Sequence, residues 1–194
     1  MSPAERPYHH GDLRHAAIQE AVRAIAEDGL GALSLRDLAR RLGVSHAAPT
    51  HHFGDKAGLL TAVAAEGYRL LAAELRRAYE RTGDFLEVGV AYVRFATRHQ
   101  PYFDVMFRPD LYHQDDPELT EAREQSSSML YGPVSKYPGA GSERQVREAG
   151  VAAWSLVHGL ATLYLNGALP PKLGKDPERI ARSVAAYLFA GSRV

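Results

Sequence analysis

The sequence contains no cysteine in its 194 residues. Disulfide bonds, thiolate metal sites and cysteine nucleophiles are therefore excluded. Long apolar runs are missing as well: no uninterrupted stretch approaches the roughly 18 residues of a membrane span, and residues 1–7 carry no apolar signal core. We expect a cytoplasmic protein without a membrane partner, long enough to bury a core in one large or two small domains.

The chain also lacks an excess of charge of either sign, since 23 Lys and Arg side chains face 23 Asp and Glu side chains. The first 56 residues are balanced in the same way, with seven basic and seven acidic side chains. Non-specific attraction to nucleic acid is therefore expected to be modest. The same segment holds six of the nine histidines, and histidine can take up a proton beside a polyanion.

Neither a strand-type alternation nor an internal repeat is present, whereas apolar residues recur at helical spacing. The sequence therefore predicts an all-α protein. Helices are predicted over Gly11–Asp28, Lys56–Arg81, Asp84–His99, Tyr102–Phe107, Pro117–Tyr131, Glu143–Leu169 and Pro177–Ala190, with two short helices between Ser34 and Gly54. An extended leader through Pro7 and a loop over Tyr137–Ser142 complete the prediction. The helix from Lys56 is about 39 Å long, so we predict that it joins two domains, residues 8–55 and 56–194.

The stretch from Ser34 to Lys56 predicts a helix-turn-helix. Ser34 is a suitable helix cap, and Asp37 three residues later completes a variant of the capping box. Apolar residues follow at helical spacing, Gly43 supplies the left-handed residue that ends the first helix, and Ser45 caps the second. A stop and restart within three residues is typical of this motif, whose second helix enters the major groove of DNA.

The block from Leu13 to Leu60 resembles the N-terminal domain of the tetracycline-repressor (TetR) family. The matching segments are Glu-Asp-Gly at 27–29, Leu-Ser-Leu-Arg-Asp-Leu-Ala-Arg-Arg-Leu-Gly-Val-Ser at 33–45 and His-His-Phe-Gly-Asp-Lys-Ala-Gly-Leu-Leu at 51–60. The chain departs from the family pattern at Pro49 and at Thr50, where an aromatic residue is usual. His99–Phe107 and Trp154–Gly159 resemble one branch of the same family. The resemblance implies an all-helical homodimer whose C-terminal domain binds a small effector and whose last two helices form a four-helix dimer interface.

The candidate DNA-binding residues lie in and beside the helix-turn-helix. They are Ser34, Arg36, Ser45, His46, Ala47, Thr50, His51, His52 and Lys56. The resemblance implies that Ser45, His52 and Lys56 lie near phosphates, while histidine and threonine can also bond base edges and alanine can contact a thymine methyl. The alternatives are a simple helix cap at Ser45 and a solvated helix face. Pro49 is expected to delay or tilt the start of the second helix.

An aromatic zone in the second half of the chain is the candidate effector site. Its residues are Tyr92, Phe95, Phe103, Met106, Phe107, Trp154 and His158. Trp154 and His158 share a helix face at i, i+4, and His158 is the expected polar contact, although an ordinary core explains the same residues equally well. Gly159 and Gly167 are expected inside a helix at a cost of about 1 kcal/mol each against alanine, which close packing across a dimer interface would offset.

Metal, cofactor and catalytic sites are not expected. Adjacent histidines on a helix point about 100° apart and cannot share one ion, and no clustered nucleophile or acid and base set is visible. We interpret the chain as a ligand-responsive, dimeric DNA-binding transcriptional regulator, most simply a repressor. A small apolar effector would shift the base of the long helix and release a roughly palindromic, double-stranded operator. The alternative is a helical small-molecule-binding bundle that has lost sequence-specific DNA binding, and the neutral charge of the first segment supports it.

Overall fold

A computed structural model describes residues 10–134 and 141–190, with the backbone alone for 10–12, 133–134 and 188–190. Within these ranges the chain forms nine α-helices, three short 3-10 turns and no strand, which confirms the all-α prediction. The helices are α1 His10–Asp28, α2 Leu35–Leu42, α3 Ala47–Phe53, α4 Lys56–Thr82, α5 Phe85–Arg98, α6 Gln100–Met106, α7 Pro117–Val134, α8 Glu143–Leu165 and α9 Pro177–Ala190. The leader through Pro7 and most of the loop before Ser142 lie outside the described residues.

The end of α8 differs most from the sequence prediction. The helix stops at Leu165 rather than Leu169, because Asn166 caps it and Gly167 has a φ of 66°. A left-handed glycine at this position is a common helix end. Gly167 therefore terminates the helix instead of lying inside it, and the predicted end at the Pro170-Pro171 pair is wrong.

The first helix of the helix-turn-helix begins and ends as predicted. The Ser34 hydroxyl accepts a hydrogen bond from the Asp37 amide at 3.1 Å, and Gly43 ends α2 with a φ of 66°. The predicted return of the Asp37 carboxylate to the cap amide is wrong, because this carboxylate instead accepts hydrogen bonds from Arg40 and Arg41. A charged guanidinium is a stronger partner for a carboxylate than a backbone amide is.

The second helix of the motif starts without a side-chain cap. His46, not Ser45, precedes α3, and its side chain makes no capping hydrogen bond, so the predicted cap at Ser45 is wrong. The helix begins at Ala47, one residue later than a cap at Ser45 would place it, in line with the delay expected from Pro49. Pro49 is buried in the first turn, where backbone amides have no partner within the helix, so its missing N–H costs no hydrogen bond.

The long helix α4 joins the first three helices to the rest of the chain. It spans 27 residues, begins at a cap in which Asp55 accepts the Gly58 amide at 2.8 Å, and packs most extensively against α7. It also contacts α1, α3, α5 and α6, while α5 packs against α8 and α9. The rod predicted from the sequence is therefore also a wall of the larger helical body.

Candidate DNA-binding surface and effector cavity

The recognition helix α3 divides into an inward and an outward side. Pro49 is buried and Phe53 packs against the core. The five predicted contacts on the outward side are all exposed, and they are Ser45, His46, Ala47, Thr50 and His51. The outward side thus presents hydroxyl, imidazole and methyl groups and no acidic side chain.

The other predicted DNA contacts are less available. Ser34 is exposed, but its hydroxyl already caps α2. Lys56 donates to the Leu30 carbonyl at 3.3 Å, and the half-buried ring of His52 packs beside Phe53 and borders a recess under α4. Arg36, by contrast, is exposed, and no ion pair holds it within the part of the chain that the structure describes.

Arg41 is surrounded by acidic side chains of the first 56 residues. Its guanidinium lies 2.7 Å from the Glu27 carboxylate, 2.5 Å from Asp28, 2.7 Å from Asp37 and 3.7 Å from Glu20. These carboxylates tie the end of α1 to α2, so they serve packing between two helices. Formal neutrality therefore conceals an uneven distribution, in which four of the seven acidic side chains lie around Arg41 and α3 carries none.

A cavity of about 360 Å³ lies in the helical body between α4, α5, α7 and α8. Its walls are mixed, with aromatic and aliphatic side chains on three helices and polar side chains on α7. The lining residues are Tyr68, Leu71, Tyr92, Phe107, Thr120, Arg123, Glu124, Ser126, Ser127, Leu130, Tyr131 and Trp154. A site of this size and character suits a small organic molecule.

Three of the seven predicted effector residues line this cavity, namely Tyr92, Phe107 and Trp154. The other four do not. Phe95 and Met106 are fully buried core residues, and Phe103 packs its ring behind Tyr92 and Phe107. His158 lies behind the residues that line the cavity, because its ring packs against Phe103 and Phe107.

Trp154, Tyr92 and His158 form a hydrogen-bonded chain along the cavity wall. The Trp154 indole N–H donates to the Tyr92 hydroxyl at 3.2 Å, and this hydroxyl lies 2.9 Å from Nδ1 of His158. Burial lowers the pKa of His158 and raises the pKa of Tyr92, so both groups are neutral. This contact with the histidine ring holds the tyrosine hydroxyl in place.

The polar wall on α7 is the part of the site that sequence reasoning missed. The α7 sequence reads as a polar, solvated helix, yet Arg123 and Ser127 are half-buried and Ser126 is buried. Three consecutive serines at 126–128 in the middle of a helix were the available signal, because serine is a weak helix former. The sequence predicted His158 as the main polar group of the cavity. His158 does not line the cavity, and Arg123 on α7 is its main polar group instead.

One segment touches both the cavity wall and the start of α4. The Tyr112 hydroxyl accepts from Arg123 at 2.8 Å and donates to the Met106 carbonyl at 2.7 Å. The next residue, His113, donates its backbone N–H to the Thr61 hydroxyl at 3.0 Å and places its ring 3.5 Å from the Asp55 carboxylate. Two consecutive residues thus connect the cavity with the cap of α4.

Within residues 10–134 and 141–190, no helix is long and apolar enough to cross a membrane. In the same ranges, no group of three His, Asp or Glu side chains is arranged to hold a metal ion.

A helix-turn-helix with an exposed recognition helix, carried on a helical body with a cavity between its helices, defines a DNA-binding transcriptional regulator. The chain belongs to the TetR family. The family model described as "Bacterial regulatory proteins, tetR family" matches residues 17–63, and the one described as "Tetracyclin repressor-like, C-terminal domain" matches residues 85–188.

Solved structures agree with this assignment. A protein of unknown function from Rhodococcus sp. RHA1 is 32% identical with a TM-score of 0.80, covering 96% of this chain and 98% of that chain. The TetR family regulator PfmR from Thermus thermophilus is 24% identical with a TM-score of 0.67, covering 90% and 94%. NalD, the secondary repressor of the MexAB-OprM multidrug efflux pump in Pseudomonas aeruginosa, is 21% identical with a TM-score of 0.59, covering 93% and 95%. The last two show a shared fold. No curated protein sequence matches the chain.

Proposed function

We propose that the protein is a cytoplasmic, dimeric repressor that binds a roughly palindromic operator and is released by a small, largely apolar effector. The observation that carries this proposal is the outward side of α3, where five predicted DNA contacts are exposed together. DNA binding is assigned to residues 8–55, and effector binding and dimerisation to residues 56–194.

On the operator, α3 would lie in the major groove with its outward side against the bases. The Thr50 hydroxyl and the His51 imidazole can bond base edges or phosphates, and Ala47 can contact a thymine methyl. Ser45 has no capping role in α3, so its exposed hydroxyl is available for a phosphate. Arg36 adds a fixed positive charge at the start of α2.

The dimer would form through α8 and α9. Leu163 on α8 and Tyr187 on α9 are large apolar side chains that are 48% and 81% exposed in the single chain. Among the described residues, a methyl group added at Gly159 would meet no atom within 4 Å, so packing against these residues does not require this glycine. Close approach of a second copy gives it a role, as the sequence indicated.

Effector binding would reach the DNA through α7 and the segment around Tyr112. A molecule in the cavity would contact Arg123, which donates a hydrogen bond to the Tyr112 hydroxyl. His113, the residue after Tyr112, donates its backbone N–H to Thr61 near the start of α4. A displacement of α7 would therefore move the base of the long helix and alter the spacing of the two recognition helices. About one DNA turn, roughly 34 Å, separates the half-sites that such a dimer reads.

A DNA-binding measurement tests this proposal. We expect the dimer to shift the DNA that flanks its own gene, and His51→Ala or Thr50→Ala to weaken that complex by about tenfold, because a good base contact contributes on the order of 1–3 kcal/mol. The matched control is Arg76→Ala, an exposed position on α4 outside both the recognition helix and the proposed dimer interface.

The competing function is a ligand-binding bundle that no longer recognises DNA, and the neutral charge of the first segment favours it. Failure to retard any fragment, together with failure of a binding-site selection from random DNA, would overturn the DNA-binding proposal and leave this alternative. Equal losses of affinity for specific and random DNA in His51→Ala would show that the residue contacts phosphate only.

A further inference from the structure

We propose that the effector is an amphipathic acid, whose carboxylate or similar oxyanion binds Arg123 while its apolar part fills the remaining cavity. This inference rests on the proposed role of the cavity as the effector site. It names the chemical class of the ligand and the residue that selects it.

Arg123 is held at the cavity wall by neutral groups. Its guanidinium lies over the rings of Tyr68 and Tyr112, at 5.8 and 5.4 Å from their centroids. It donates to the Tyr112 hydroxyl at 2.8 Å and to the Gln114 carbonyl at 3.3 Å. Burial raises the pKa of Tyr68 to about 12, so that ring carries no charge near neutral pH.

No carboxylate forms an ion pair with Arg123 among the residues that the structure describes. Arg69, on the facing helix α4, pairs with Glu118 at 3.2 Å, and Arg94 pairs with Glu74 and Glu178. A guanidinium that is partly removed from water gains from an opposite charge at hydrogen-bond distance. Arg123 borders the open cavity with neutral partners only, which is the arrangement a bound anion completes.

The rest of the cavity fits such a ligand. The buried Ser126 hydroxyl lies on the same α7 wall as Arg123, whereas Leu71, Phe107 and Trp154 form apolar walls opposite. Glu124 also borders the cavity, but it is exposed, so water screens its charge. A planar guanidinium matches a carboxylate with two parallel hydrogen bonds, which a neutral amide or alcohol cannot reproduce.

The test uses three probes of equal chain length: decanoate, decanamide and 1-decanol. Binding is followed by calorimetry and by the emission of Trp154, the only tryptophan of the chain. We expect decanoate to bind at least about tenfold more tightly than either neutral probe, because hydrogen bonds to charged groups are the stronger ones. Arg123→Gln should remove this preference and leave the affinity for 1-decanol within about threefold.

Two further variants separate charge from folding. Arg123→Lys keeps the charge and should retain part of the preference for the acid, and Arg144→Gln, an exposed arginine outside the cavity, should retain all of it. Circular dichroism and unchanged binding of 1-decanol show that Arg123→Gln is folded. Failure of decanoate to bind, equal affinity for the acid and the neutral probes, or an equal loss for all three in Arg123→Gln would overturn the proposal.

The operator complex is measured separately. Decanoate that binds through Arg123 without releasing DNA supports the acid site and contradicts effector release as proposed above. Release of DNA by a neutral molecule while decanoate does not bind supports the regulator and overturns the acid site.

Discussion

At the scale of single residues, His158 shows how packing assigns a role. Its ring packs against Phe103 and Phe107, and its Nδ1 lies 2.9 Å from the Tyr92 hydroxyl, within hydrogen-bond distance. Burial lowers its pKa below the ordinary value. His158 is therefore a neutral group that orients Tyr92, and Tyr92 in turn orients the indole of Trp154 at the cavity.

We expect His158 to make folding stability depend on pH. Because its pKa is lower in the folded than in the unfolded chain, its contribution is complete above the ordinary histidine pKa of about 6.5 and is lost as the pH falls through the lower folded value. The free energy of unfolding of the native protein should therefore fall between about pH 7.5 and 5.5 by more than that of His158→Gln. Urea titrations at fixed protein concentration measure this difference, with His51→Gln as the exposed control. Parallel pH profiles for the native protein and His158→Gln would contradict the prediction.

At the scale of elements, the junction between α3 and α4 sets the position of the recognition helix. A methyl group at Gly58 would overlap the Phe53 carbonyl oxygen, so the start of α4 approaches the end of α3 more closely than a residue with a side chain would allow. The neighbouring Asp55 holds the cap, and its pKa is lowered by the hydrogen bond from the Gly58 amide. The two helices therefore meet in close contact at this junction.

Gly58→Ala should destabilise the protein by about 2 kcal/mol or more, since an overpacked site costs on the order of 1–3 kcal/mol and a backbone oxygen cannot move aside. It should also weaken operator binding, because α3 must shift. The matched control is Gly132→Ala in α7, where an added methyl meets no atom of the described residues within 4 Å. There we expect a gain of up to about 1 kcal/mol from helix propensity. Melting curves of the two variants would disprove the close packing if both were stabilised alike.

At the scale of the whole molecule, the apolar side chains exposed on α8 and α9 form the surface where we propose that a second copy packs. We expect the native protein to scatter light as a particle of twice the 21.3 kDa chain mass. The double substitution Leu163→Glu and Tyr187→Glu places charges in the interface and should yield monomers that retain their helical content. Ser128→Glu, an exposed position on α7, is the control and should remain dimeric.

Removal of residues 172–194 should also abolish the dimer, because it deletes α9. We expect the truncated protein to be a monomer or an aggregate. A soluble dimer in both the truncated and the doubly substituted protein would place the interface elsewhere. Since the two half-sites of an operator require two linked heads, the monomeric variant should also lose most of its operator affinity.

The sequence by itself determined the helical class, the helix-turn-helix and most helix boundaries. The signals at Ser34, Gly43 and Asp55 are local: a cap or a left-handed glycine acts on amides and carbonyls within about four residues, so the sequence contains both partners. Gly167 and Pro170 are both local signals for the end of α8. The prediction used the proline pair, the stronger helix breaker, whereas the helix ends earlier, at Leu165 before Gly167.

Only the tertiary structure decided which residues form the cavity. Phe95 and Phe107 are both aromatic residues in the same zone, yet one is core and the other lines open space, because that choice depends on how α4, α5, α7 and α8 meet. Arg123 shows this most clearly. In the sequence it is a charged residue on a polar helix, and only the packing of α7 against α4 turns it toward a cavity among neutral aromatic partners. Burial and charge compensation depend on residues distant in sequence, so no local pattern could have revealed that role.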